Sequence, residues 1–178
     1  AYYITEIHGM PGISGSLNIT GSNDFTGKQI YASVITIGDN NNNGNGGGGN
    51  RNVFIKGGLL YAYSGGLSID VKGNSQIGTP DDPTAIISQG ASVDINMNGT
   101  SSINGLLILN NSSSLSIGNV SINGAMYVNV GTIVTGGNSS INLNTAIIRQ
   151  LLQEYPVLGK PPRCLPPQQY LFNAVTLY

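Results

Sequence analysis

Charge is scarce in this sequence. Charged residues account for 8% of the 178 residues, and seven basic against eight acidic side chains give a formal net charge of −1. The basic residues form no cluster that could neutralise a run of phosphates, so nucleic acid is not an expected partner. Trp is absent, and Cys164, as the single cysteine, excludes an intrachain disulfide and a thiolate zinc cluster. No apolar run is long enough to span a bilayer, so we expect no membrane span in this chain.

The sequence also offers no set of residues typical of catalysis. Its acidic residues are scattered, and only Asp70 and Asp94 fall in one predicted strand column, without an Arg, Lys or His beside them. Catalysis on sugars requires carboxylates that converge on one groove. Asp81 and Asp82 lie between prolines and are typical of a solvated turn, and His8 has no neighbouring His or Cys. We therefore expect a protein that is not an enzyme and has no cofactor or metal.

What the sequence does contain is a repeat. Short polar segments that begin with Gly and end in an apolar residue plus Asn or Gly recur at 73–78, 99–104, 118–123 and 137–142. The last three copies place Ile103, Ile122 and Ile141 at a spacing of 19 residues. An alternating strand precedes each copy, and an apolar strand follows those at 99–104 and 118–123. Three strands per repeat are typical of a triangular coil.

The repeat predicts an all-β fold, a parallel β-helix of about six three-strand rungs. At about 4.8 Å between strands the stack would be about 30 Å tall. An antiparallel barrel or sandwich also suits short strands with turn signals. Only a solenoid, however, requires the same apolar position to return about every 19 residues, because each residue stacks on its equivalent in the next coil. We assign residues 1–159 to this single domain, including an N-terminal strand.

Three segments depart from the repeat. The Gly- and Asn-rich stretch 38–50 predicts a loop. After the last rung, Asn144 and Thr145 can cap a helix over about 145–155, which we expect to lie as a lid over the open end of the coil. Residues 160–178 comprise a Pro-rich linker and an apolar C-terminal strand.

One sheet of the predicted solenoid is apolar on both faces. Alignment of the third strands places Leu60, Leu107 and Met126 inward, while the alternate positions point outward and are mostly apolar as well. Such a face requires a cover, which we expect to be either the chain's own C-terminal strand or a segment of a neighbouring subunit. The candidate subunit-interface residues are Tyr2, Tyr3, Ile4, Leu59, Tyr61, Tyr63, Ile108, Tyr127, Tyr170, Leu171, Phe172, Val175 and Leu177.

The segment 121–142, followed by the Ile147 and Ile148 helix, resembles the β-helical region of PilX-type proteins, which are associated with type IV pilus assembly. The resemblance extends over about residues 53–155. It implies a right-handed β-helix and a non-catalytic role in surface appendages. Such proteins usually begin with a prepilin-like apolar helix, which this sequence lacks, so we expect either its removal or assembly through the apolar termini.

Two functions follow as hypotheses. The first is an extracellular or cell-surface structural protein, a subunit or associated component of a filament or pilus, whose partners are copies of itself or other pilus components. The alternative is a monomeric adhesin or carbohydrate-binding β-helix, because exposed Tyr and Asn side chains can contact a glycan. The apolar tails favour the first hypothesis.

Overall fold

The structure is a computed structural model, and it describes residues 15–38, 52–90, 92–97 and 99–159. The described residues form eleven strands, one α-helix and one 3-10 helix. In chain order these are β1 (Ser16–Ile19), β2 (Ser22–Asp24), β3 (Gln29–Gly38), β4 (Phe54–Lys56), β5 (Leu59–Val71), β6 (Gln76–Ile77), β7 (Thr84–Ser88), β8 (Ser92–Met97), β9 (Ser102–Gly118), β10 (Ser121–Gly136), β11 (Ser140–Leu143), α1 (Thr145–Glu154) and the 3-10 helix Pro156–Gly159.

The strands stack in parallel on three faces, which confirms the predicted parallel β-helix. Face A contains β2, β4, β6, the beginnings of β9 and β10, and β11. Face B contains the first half of β3 and β5, then β7 and the middle of β9 and β10. Face C contains β1, the second half of β3 and β5, then β8 and the ends of β9 and β10. The result is about five turns, against the predicted six or so, because β1 and β11 are single strands beyond the complete turns.

Register on face A follows the predicted isoleucine column. Ile122 pairs with Ile103 below it and with Ile141 above it, and the column continues downward through Ile77 to Ile55. Ile55, Ile77, Ile103 and Ile122 are buried in the central core. Burial of each such side chain stabilises the fold by about 1.5–3 kcal/mol, so a slip in register would lose this contribution at every layer.

Glycine allows the layers to approach closely where face A turns into face B. A Cβ at Gly124 would lie 1.8 Å from the carbonyl oxygen of Gly105, and a Cβ at Gly105 would lie 1.9 Å from that of Thr84. Gly124 also has a φ of +147°, a conformation that side chains with a Cβ rarely adopt. Glycine therefore follows Asn104 and Asn123 in the repeat because a larger residue would clash with the layer below.

A ladder of asparagine side chains runs along the same corner. Asn104 Nδ2 donates to the carbonyl oxygen of Gly78 at 3.1 Å, Asn123 Nδ2 donates to Asn104 Oδ1 at 3.0 Å, and Asn144 Nδ2 donates to Asn123 Oδ1 at 3.1 Å. Each amide therefore donates to the layer below and, where another asparagine follows, accepts from the layer above. Stacked amide ladders of this kind stabilise in-register parallel strands.

The ladder ends at the N-terminus of α1. Asn144 Oδ1 accepts from the backbone N–H groups of Ala146 at 3.1 Å and Ile147 at 3.3 Å, and it caps the helix as the sequence predicts. The cap fixes the position at which the helix leaves the last turn, because the Asn144 backbone N–H also donates to the carbonyl oxygen of Gly124 at 2.9 Å.

The position of α1 differs from the prediction. The helix lies along face B and does not form a lid over the end of the coil. Its ten residues span about 15 Å, or about three strand spacings. Glu154 Oε1 accepts from the backbone N–H of Gly27 at 3.1 Å, so the helix extends from the last turn back to the first. The lid prediction was wrong because the apolar stripe of the helix faces an apolar sheet surface that extends over several turns, which offers more area to bury than the rim of one coil.

Several predicted segments lie outside the described residues. They are the N-terminal strand, the loop 38–50 from residue 39 onward, and the linker and C-terminal strand at 160–178.

Candidate functional site

The outward residues of face B form two rows across the turns. One row pairs Leu59 with Ala85 and then Leu106. The other row contains Tyr31, Tyr61, Ile87, Ile108 and Tyr127, one from each turn. The predicted alternation is therefore confirmed, since these side chains belong to a second apolar cluster outside the central core.

The helix provides the cover of this face. Ile147 and Leu151 are buried in the second cluster together with Leu59 and Ile108, which are 1% and 2% exposed. The expectation that a C-terminal strand or a neighbouring subunit covers these two residues was wrong, because α1 already removes them from solvent. The spacing of Ile147 and Leu151 places both side chains on one side of α1, so the helix covers the apolar surface of face B with residues of the same chain.

The aromatic members of the predicted interface keep part of their surface. Tyr61 and Tyr127 are partly buried and pack against the second cluster, and Tyr63 is also partly buried. Tyr61 forms an edge-to-face pair with Tyr31, with ring centroids 5.6 Å apart. Burial raises the pKa of Tyr31 to about 12, with a smaller contribution from Tyr61, and burial also raises the pKa of Tyr61.

Tyr31 is not among the predicted interface residues, because the repeat pattern in the sequence does not extend clearly to β3. The alternation of apolar residues over 30–37 is the signal that could have located it. The remaining predicted interface residues, at positions 2–4 and 170–177, lie outside the described part of the chain.

The clearest unsatisfied surface is the C-terminal end of the solenoid. Ile133 is 54% exposed although it pairs with Leu115, which is fully buried; Ile141 is 51% exposed although it pairs with Ile122, which is 1% exposed. Within the described part of the chain, no further layer covers the inward positions of the last turn, whereas a layer covers the same positions one turn earlier. We call this surface the open end and define it as 131–136 and 139–143.

Backbone and side chains both contribute to the open end. Among the described residues β11 pairs only with β10, so its outer edge has backbone groups free for a further strand. A cavity of about 340 Å³ leads into the core between Ile117, Met126 and Ile141. Val134 and Leu143 add exposed apolar surface, and no charged residue occurs between positions 131 and 144. The arrangement can accept an uncharged apolar strand.

The opposite end is different. Ile19 and Phe25, which belong to the first layers, are buried. Within the described ranges the exposed large apolar residues are Phe54, Ile133, Val134, Ile141, Leu143 and Val157, and four of these six lie at the open end. The predicted interface does not include this site; the sequence signal for it is Ile141, the last isoleucine of the column, after which the repeat does not recur.

A second surface, on face A, surrounds Phe54. This side chain is exposed in a shallow hollow of about 380 Å³ that also contains Asn23, Asp24, Lys56 and Gln76. The backbone N–H of Thr26 donates to Asp24 Oδ1 at 3.0 Å and lowers the pKa of Asp24. One aromatic ring surrounded by amide, acidic and basic groups resembles, in chemistry, a surface that can contact a sugar.

The two carboxylates assigned to one column do not pair with each other. Asp70 lies beside Asn96, whose Nδ2 donates to Asp70 Oδ1 at 3.4 Å, and Asp94 lies beside Ser68. The described residues contain no group of three or more His, Cys, Asp or Glu side chains that could hold a metal ion.

Comparison with known proteins found no matching family model, no matching curated protein and no matching solved structure. Across the described ranges, no helix combines the length and apolar character needed to cross a membrane.

Proposed function

We propose that this protein is a non-catalytic structural protein of the cell exterior, a subunit or associated component of a surface filament or pilus, and that it assembles with copies of itself. The observation that carries the proposal is the open end, where the inward positions of the last turn are about half exposed while their equivalents one turn earlier are buried. A repeat that ends on such a layer presents a template for a further strand.

The size of the open end indicates what kind of contact would form. Full burial of a Val, Leu or Ile side chain contributes about 1.5–3 kcal/mol, so burial of half-exposed Ile133, Ile141 and Leu143 contributes roughly 2–5 kcal/mol. A micromolar dissociation constant requires about 8 kcal/mol after the costs of association. The existing side chains are therefore insufficient alone. A partner must also bring its own apolar residues and pair with the exposed strand edge, as an added strand does.

Assembly can be tested by sedimentation velocity and negative-stain electron microscopy of the unaltered chain over a range of concentrations. We expect oligomers or filaments that increase with concentration. The variant Ile141→Asp should shift the chain to monomers, because it places a carboxylate at the apolar centre of the open end. Asn142→Asp is the matched control, because Asn142 is the next residue along β11 and points to the opposite side of the strand from Ile141. This variant should assemble normally. A chain that remains monomeric at every concentration would refute the proposal.

A glycan-binding role is the second candidate, and the hollow around Phe54 favours it. An exposed aromatic ring contributes a stacking surface, and Asn23 and Gln76 supply amide hydrogen bonds nearby. Binding to a glycan array that is lost in Phe54→Ala but kept in Ile141→Asp would support an adhesin. Equal glycan signals for the unaltered chain and Phe54→Ala would exclude this hollow as the site.

A further inference from the structure

We infer that the open end of one copy is completed by residues 170–178 of a neighbouring copy, added to face C as a further layer above 132–136. This inference rests on the proposed self-assembly and names its donor and acceptor. Three observations carry it: the place where the chain leaves the solenoid, the composition of the linker, and the pattern of the C-terminal segment.

The chain leaves the described structure near the first turns, far from its own open end. The backbone N–H of Gly27, just before the first strand of face B, donates to Glu154 Oε1 at 3.1 Å, and Leu158, four residues after Glu154, is buried in the second cluster. The open end belongs to the last turn, about four strand spacings or roughly 19 Å away. In a head-to-tail stack the first turn of one copy would lie against the last turn of the next. Residue 160 would then begin beside the junction.

The linker favours donation to another copy. Residues 160–169 include four prolines, which lack the N–H that a sheet requires, so the sequence predicts a spacer between the helix and the C-terminal apolar segment. Ten residues in polyproline II conformation span about 31 Å, enough to reach either open end. A Pro-rich spacer is expected to be stiff and would project the following segment away from its origin, whereas a return to the same copy would require a reversal along face B.

The C-terminal segment has the pattern of a face C strand. Residues 175–177 read Val-Thr-Leu, an apolar residue, a hydroxyl residue and an apolar residue. Residues 115–117 and 67–69 read Leu-Ser-Ile on face C, with both apolar residues in the core and the serine directed outward. In this register Val175 would cover Ile133 and supply the layer that the last turn lacks.

Matched pairs of variants test the donor and the acceptor separately. On the acceptor, Ile133→Asp should abolish assembly, whereas Val134→Asp should not, although the two side chains are almost equally exposed at 54% and 57%. On the donor, Val175→Asp should abolish assembly and Thr176→Asp should not. We expect each disruptive variant to raise the concentration for half-assembly at least about tenfold in sedimentation velocity. Circular dichroism verifies that each variant remains folded.

Mixing Ile133→Asp with Val175→Asp distinguishes donation between copies from folding back. The first variant keeps an intact donor and the second an intact acceptor, so exchange between copies predicts a one-to-one complex that grows no further. No complex in the mixture would mean that the segment acts within its own chain, and the inference would be overturned. If the unaltered chain assembles and Val175→Asp assembles equally well, the inference is wrong while self-assembly stands. If the unaltered chain never assembles, both fail.

Discussion

Replacing Asn123 by Asp tests the asparagine ladder with almost no change in shape. Asn123 Nδ2 donates to Asn104 Oδ1 at 3.0 Å, and Asn104 is only 6% exposed. A carboxylate has no proton to donate, so Asn104 Oδ1 would lose its donor and face a negatively charged oxygen instead. The bond from Asn144 Nδ2 to position 123 would remain, because a carboxylate still accepts.

The expected loss follows from these contacts. Leaving a buried polar group without its partner costs about 1–3 kcal/mol, and partial burial of the new charge adds to this, so we expect a total of about 2–4 kcal/mol at neutral pH. For a domain of this size, each kcal/mol lowers Tm by about 2–4 °C. A loss of about 3 kcal/mol would therefore lower Tm by about 6–12 °C, measured by thermal unfolding followed by circular dichroism.

The pH dependence of this variant gives the stricter test. Acceptor repulsion raises the pKa of the introduced carboxyl in the folded state, so the variant regains stability relative to the unaltered chain as pH falls toward about 4. A protonated carboxyl can again donate to Asn104. Asn142→Asp, in the next layer of the same column but exposed, should cost less than about 0.5 kcal/mol. A loss below about 1 kcal/mol at pH 7, or one that does not diminish at low pH, would refute the role of the ladder.

Three further predictions concern the helix, the corner and the tyrosines. Leu151→Ala should lower the free energy of unfolding by about 2–4 kcal/mol in urea titrations, because Leu151 is fully buried, whereas exposed Gln153→Ala should change it by less than about 0.5 kcal/mol. Gly124→Ala should prevent normal folding, because its Cβ would overlap the carbonyl oxygen of Gly105, and circular dichroism should show loss of the β-sheet signal. Gly136→Ala should fold, because a Cβ at Gly136 would lie 4.0 Å from its nearest neighbour, the carbonyl oxygen of Ile117. Burial raises the pKa of Tyr31 to about 12, so as pH rises the unfolded chain loses the Tyr31 hydroxyl proton before the folded chain does. The contribution of neutral Tyr31 to the free energy of unfolding is therefore fully present below about pH 10 and is lost between about pH 10 and 12. Alkaline unfolding of the unaltered chain should therefore be steeper than that of Tyr31→Phe, and equal slopes would contradict this.

The arrangement of α1 narrows the surface on which assembly can occur. The outer side of face B is apolar, yet its residues Leu59 and Ile108 pack in one cluster with the helix of the same chain. Among the described residues, four of the six exposed large apolar side chains lie at the open end. Growth along the solenoid axis is therefore more consistent with the structure than lateral association through face B, and it is the direction that an open head-to-tail contact requires.

Much of the fold was determined by the sequence alone. The 19-residue return of Ile103, Ile122 and Ile141 implies parallel, in-register stacking, because no other sheet arrangement requires equivalent positions to be apolar at that interval. The inward and outward alternation on face B and the Asn144 cap followed from local periodicity and capping chemistry in the same way. These features depend on neighbouring residues or on a repeated pattern, and both can be recognised in the sequence without the structure.

The tertiary structure alone decided where the helix lies and which surface remains open. The amphipathic stripe that contains Ile147 and Leu151 indicates that the helix packs on an apolar surface. It does not indicate whether that surface is face B or the end of the coil. The choice depends on the area each surface offers and on the direction that the Asn144 cap imposes, and both are properties of the assembled coil. Because the helix covers face B, Ile133 and Ile141 are left exposed at the end of the coil, a consequence of competition between surfaces that no local pattern records.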